Sequence, residues 1–232
     1  MKIIFKIHPL SYILTLIFFL MGYFKIYLIF MFILIIHELG HIITSLYFKW
    51  KIDKIIILPF GLLIKYNELI NRPIKEEFII AISGILFQLL VFKINIYYSI
   101  LIIIFNLLPI YPLDGSKILN LILNKITNFK LSYILTIYIS YINLFIILIF
   151  IIINKDLIFL IIIIPLFIGL KKYKIKYIIN KFYLERYLYK LKFKRIKIIK
   201  NINYMKRDYS HLIKNNNKYL KEEEILKNMF DK

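Results

Sequence analysis

IYLIFMFILIIHELGHIITSLYF, residues 26–48, is 23 residues long, and its only acidic, basic or imidazole side chains are His37, Glu38 and His41 near its middle. At about 1.5 Å of rise per residue the stretch is long enough, as a helix, to cross a hydrocarbon core of about 30 Å. Three such groups at membrane depth are costly, so the cluster is by default a functional site. Its spacing gives the chemistry. Four residues on a helix turn through about 400°, so both imidazoles leave one face and can share a tetrahedral metal ion, with the glutamate beside it as an acid or base. With 4 His among 232 residues, chance placement yields about 0.002 such matches per chain, so coincidence is a poor account.

The rest of the chain agrees with a membrane setting. Hydrophobic residues make up 61% and mean hydropathy is +0.75, too apolar for a water-facing surface. There is no cysteine, which excludes disulfides, thiolate-bound zinc and a cysteine nucleophile; a metal would need His and carboxylates. The formal charge of +20 is unevenly spread: residues 1–170 hold 14 Lys+Arg against 7 acids, residues 171–232 hold 19 against 6.

Working outward, the apolar run from Pro9 to Phe24 reads as an uncleaved first span and residues 26–48 as the second. Lys49 to Glu77 carries six basic residues and is predicted on the cytoplasmic side. Within it KIDKIIILPFGLLIKY, with β-branched runs around Pro59, Phe60 and Gly61, predicts a short hairpin. Further spans are predicted at Phe78 to Phe92, Ile96 to Asn124, Leu131 to Ile153 and Leu157 to Leu170. The expected fold is therefore an all-α polytopic membrane protein of about six transmembrane helices. A membrane domain covers 1–170 and a basic cytoplasmic tail 171–232, with both termini cytoplasmic.

The fourth span is interrupted by NLLPIYPLDG, residues 106–115, whose prolines and glycine break a helix where irregular backbone is tolerated only against protein or a cavity. A catalytic zinc takes three protein ligands and leaves a position for water. His8 precedes the first span, His211 lies in the tail, Asp53 and Glu68 in the basic loop and Asp156 at the opposite surface. Asp114 alone lies in the broken span, where a carboxylate could turn toward the second helix. The other reading is a turn-capping aspartate, Asp-Gly being a common turn pair.

HELGH in one span and NLLPIYPLDG in a later one resemble the site-2 protease family of intramembrane zinc metalloproteases, and the layout is most similar to its stage IV sporulation protein FB branch. The resemblance implies that His37, His41 and Asp114 hold one Zn2+, that Glu38 is the catalytic acid/base, and that Asn106 helps to hold substrate. It further implies regulated cleavage of a membrane-associated substrate, a sporulation sigma-factor precursor, under restraint by inhibitory membrane-protein partners. One departure stands in the third span. Ile82-Ser83-Gly84-Ile85 keeps the family's glycine but lacks its proline, and Gln88 replaces an asparagine.

The tail from Lys171 to Lys200 interleaves basic and aromatic residues, which predicts an amphipathic helix on anionic headgroups rather than a nucleic-acid surface. KNNNKYLKEEEILKNMF after it is expected to be solvated, and no nucleotide-sensing module is expected. Two rivals remain: a metal transporter or sensor using the same ligands without hydrolysis, and a non-catalytic scaffold.

Overall fold

A computed structural model describes residues 4–7, 9–58, 61–67, 69–155, 160–171, 175–215 and 218–231. His8, Pro59, Phe60, Glu68 and Asp156 lie outside the described residues, so the expectations placed on them are not addressed. The chain divides into two units, residues 1–68 with 78–106, and residues 69–77 with 107–232.

The first unit opens with strand β1 (Ile4–Ile7) and helix α1 (Pro9–Leu20), followed by α2 (Phe24–Tyr47). α2 forms because an unbroken run of long apolar side chains carries no proline and no interior breaker except Gly40. It stops at Lys49, whose φ of 58° is left-handed, while Lys49 N–H donates to Leu46 O and Trp50 N–H to Ser45 O, both at 2.9 Å. β2 (Ile52–Leu58) then pairs antiparallel with β3 (Gly61–Tyr66), the expected hairpin. β1 adds to it in parallel, giving the order β1-β2-β3 that the sequence reading did not anticipate. Ser11 Oγ donates to Ile57 O at 3.0 Å, and Thr15 Oγ1 to Tyr27 OH at 3.2 Å, tying α1 to sheet and to α2. α3 (Ile74–Leu89), which belongs to this unit from Phe78 on, and α4 (Ile96–Leu107), which belongs to it up to Asn106, follow. Ile33 and Leu34 of α2 and Ile102 of α4 make the buried apolar cluster of this unit.

The second unit holds α5 (Asp114–Ile126), α6 (Phe129–Asn154), α7 (Leu160–Lys171) and α8 (Ile175–Tyr189). The predicted fourth span is thus two helices, α4 and α5, separated by irregular backbone at residues 108–113. Part of that backbone is satisfied by protein: Ser140 Oγ on α6 accepts from Tyr111 N–H at 3.1 Å and lies 3.2 Å from Pro109 O. Asn120 Nδ2 donates to Thr136 Oγ1 at 3.0 Å, a side-chain bond of the kind that holds apolar helices together. Of the described helices, α2 and α6 are long and apolar enough to cross a membrane, and α1 and α4 are apolar but shorter.

The C-terminal region corrects two expectations. Instead of one amphipathic helix to Lys200 and a solvated end, α8 stops at Tyr189, and a second sheet follows with α9 (Glu222–Phe230). β4 (Ile196–Ile199) pairs in parallel with β5 (Ser210–Asn215), which pairs antiparallel with β6 (Lys218–Lys221). The architecture is mostly helical but not all-α. Phe129, Phe182, Tyr183, Met205 and Leu226 form the apolar core, with the rings of Phe129 and Phe182 stacked at 3.9 Å. The charged residues that suggested solvation are partly internal. Arg186 is 1% exposed and donates to Glu222 Oε2 at 3.1 Å, while His211 Nδ1 lies 2.9 Å from the same carboxylate oxygen. The preceding residue of α8, Glu185, accepts from the backbone N–H groups of Ile70 and Asn71, and Arg186 Nε donates to Asn71 Oδ1 at 2.9 Å. Pairing makes these charges tolerable in a small core.

Candidate metal centre

His37 and His41 are 0% and 4% exposed, and their Nε2 atoms lie 3.3 Å apart. Each ring is held from behind. His37 Nδ1 is 3.0 Å from Gln88 Oε1, and His41 Nδ1 is 2.7 Å from the carbonyl of Ile80. The Gln88 amide is itself oriented, because its Nε2 donates to Ser99 O at 2.9 Å, which turns Oε1 toward the histidine. Both Nδ1 atoms therefore face acceptors and carry the proton, which leaves both Nε2 atoms as lone-pair donors on the same side. Holding the far nitrogen by a carbonyl is how proteins fix the tautomer and aim of metal-binding imidazoles.

The spacing fits such an ion. Ligands about 2.0–2.1 Å from a tetrahedral zinc sit about 3.3–3.4 Å from one another, which matches the pair of imidazole nitrogens. Residues 80, 84 and 88 make a stripe four residues apart along α3, and the middle one is Gly84. A Cβ there would sit 2.4 Å from His41 Nε2 and 2.7 Å from His37 Nε2, so only glycine lets the two ligand nitrogens lie against this helix. Close approach recurs one turn away, where a Cβ on Gly40 would meet Ser83 O at 2.5 Å. The small pair Ser83 and Gly84 thus serves helix packing.

Glu38 follows His37 on α2 and is half-buried. Asp114 is the first residue of α5, where a carboxylate is favoured by the helix N-terminus, and is 5% exposed. It is a helix-opening residue rather than the cap of a free turn. Lys117 Nζ donates to its Oδ1 at 2.8 Å. Gly115 is needed for close approach, since a Cβ there would lie 2.1 Å from Leu107 O. Among the described residues, His37, His41 and Asp114 are all buried, and each offers one ligand atom of a kind that a metal ion takes.

Asn106 is half-buried in the last turn of α4, and its Nδ2 donates to Ile102 O of the same helix at 3.1 Å. His211 is committed to Glu222 and Arg186, and Asp53 lies on β2. The sequence reading missed the Ile80 carbonyl and left Gln88 without a role. The signal available was the four-residue spacing of positions 80, 84 and 88.

Comparison with known proteins bears on the same residues. The sequence profile of peptidase family M50 matches residues 25–95 and 89–150, more than half of the chain. The chain belongs to peptidase family M50. This is a family of integral membrane metalloproteases, and both HELGH and the Asp114 segment fall inside the matched residues. The M50 chain is 32% identical over 144 residues to stage IV sporulation protein FB of Bacillus subtilis (strain 168), covering 55% of its own length. It spans about half, 50%, of that relative. A solved site-2 protease from Methanocaldococcus jannaschii shares the fold, with a TM-score of 0.57 and 21% identity over 74% of this chain and 91% of the other.

Proposed function

We propose that this M50 chain is an intramembrane zinc endopeptidase in which His37, His41 and Asp114 hold one Zn2+ and Glu38 is the acid/base. The observation that carries the reading is the pair of buried imidazoles locked in one tautomer with their Nε2 atoms 3.3 Å apart, on the helix that also carries Glu38. Bound between them, zinc supplies a Lewis acid that polarises the scissile carbonyl and acidifies the attacking water.

The chain's own residues do the rest. Glu38 takes the proton from the water and later gives it to the departing amine. Gln88 and the Ile80 carbonyl keep both rings aimed, so no reorganisation is needed as charge develops. A substrate helix in lipid has its amides bonded internally and must open locally before a carbonyl can react. The outer edge of β3, an edge strand of its sheet, is suited to pair with that opened segment. Asn106 is assigned to substrate holding.

The substrate class is a membrane-associated protein. Likeness to a stage IV sporulation protein favours a sporulation sigma-factor precursor, with release regulated by inhibitory membrane partners. We also assign six crossings with cytoplasmic termini, a protease domain at 1–170 and a regulatory basic region at 171–232. The test is Glu38→Gln in the full chain, co-expressed with a membrane-tethered substrate. Zinc content stays at one per chain and cleavage is lost. Continued cleavage at the normal rate refutes the mechanism, and cleavage-independent metal flux in both proteins would favour a transporter.

A further inference from the structure

A groove of about 760 Å³ opens between the start of α6, the face of α8 and the turn at residues 202–204, within the second unit. That volume falls in the range of small-molecule sites, about 300–1,000 Å³. Its polar lining is Lys130, Lys176, Asn180 and Asn203, and Lys130 Nζ lies 3.4 Å from Asn203 Oδ1. From α6 it also takes Ile134, Ile137, Tyr138 and Tyr141, one stripe at helical spacing. No acidic residue lines the groove among the described residues.

The length of α6 fixes where this stripe lies. Its 26 residues make a helix of about 39 Å against a hydrocarbon core of about 30 Å, so the first turn, with Lys130, stands at headgroup depth. The stripe from Ile134 to Tyr141 then runs into the apolar layer over roughly 10 Å. Lysine stems lie along apolar surface and place their ammonium groups at the interface, and tyrosines favour the same boundary. Tyr138 is 66% exposed on a helix long and apolar enough to cross a membrane, so this wall faces either lipid or a ligand.

We infer that this groove binds one anionic glycerophospholipid, its phosphate between Lys130 and Lys176 and one acyl chain along Ile134, Ile137 and Tyr141. Two cations with no acid select a negative headgroup, and the apolar stripe selects an attached chain over free phosphate. The inference does not depend on the proposed proteolytic activity.

The test uses the full chain, purified in mild detergent, stripped of lipid and titrated with palmitoyl-oleoyl phosphatidylglycerol or phosphatidylcholine, with bound lipids counted by native mass spectrometry. One phosphatidylglycerol is retained per chain. Neutralising both lysines (Lys130→Gln with Lys176→Gln) weakens it about 30-fold, at about fivefold per basic residue near an anionic surface. Ile134→Trp, which fills the groove with the charges intact, also removes it. If the double variant does not fold, Lys176→Gln alone, on an exposed position of α8, still predicts the fivefold loss. Equal retention of phosphatidylcholine, undiminished binding in the lysine variants, or displacement by millimolar inorganic phosphate overturns the proposal. So does retention of a polyglutamate peptide in place of lipid, which would give the groove to a protein partner.

Discussion

Replacing Gly84 by alanine tests the two-helix cradle most sharply, because two effects of known size oppose each other. By helix propensity alone the change stabilises α3, since alanine is about 1 kcal/mol better than glycine in a helix interior. Against this, the new Cβ lies 2.4 Å from His41 Nε2, and ordinary contact begins at 3.4 Å, so ring or helix must retreat by about 1 Å. Metal sites hold ligand distances to about 0.2 Å, and a 1 Å misplacement of reacting groups costs on the order of 100-fold in rate. Gly84→Ala is therefore expected to keep the fold and thermal stability while losing both zinc and cleavage. The assay pairs zinc content by inductively coupled plasma mass spectrometry with thermal unfolding in detergent. A variant that binds one zinc at wild-type affinity would refute the packing argument, whatever its activity. Unfolding with no separate loss of metal would refute it too.

Other consequences follow from neighbouring contacts. Gln88→Leu removes the acceptor that fixes the His37 tautomer and is expected to weaken zinc 10- to 100-fold in chelator competition, with the fold retained. Glu222→Ala leaves Arg186 buried without its carboxylate and is expected to cost about 3–5 kcal/mol, read as a fall in the unfolding temperature of the C-terminal unit. His211 should make stability depend on pH. Burial holds its pKa below the usual histidine value of 6.5, against the pull of Glu222 and with the help of nearby Arg186. The unfolded chain therefore takes up the proton first: the contribution is complete above about pH 6.5 and declines as pH falls below it. His211→Gln should flatten denaturant midpoints between pH 7.5 and 5, and an unchanged slope would contradict this.

What could be read from the residues depended on how far apart in the chain the interacting groups lie. His37, Glu38 and His41 share one helix, so their geometry follows from residue spacing alone. Asp114 could be proposed because the prolines and glycine around it mark a broken span. Gln88 could not be assigned, since its value comes from meeting His37 across two packed helices, with Ser99 turning its amide. β1 was missed because its partner strand begins nearly fifty residues later, and four residues carry little pattern. The C-terminal sheet was misread for a different reason. Residues 196–199 lie in the basic-aromatic stretch read as a headgroup helix and residues 218–221 in the charged stretch read as solvated, yet Arg186, Glu222 and His211 satisfy one another inside. Counting charges does not reveal pairing.

Zinc K-edge absorption fine structure on the purified full chain reports directly on the ion that the account requires. The expected spectrum has two imidazole rings and oxygen from a carboxylate and solvent, all at about 2.0–2.2 Å, with one ring lost in His41→Ala. A preparation without stoichiometric zinc, or an ion whose scattering shows no paired imidazoles and survives His41→Ala unchanged, would contradict it.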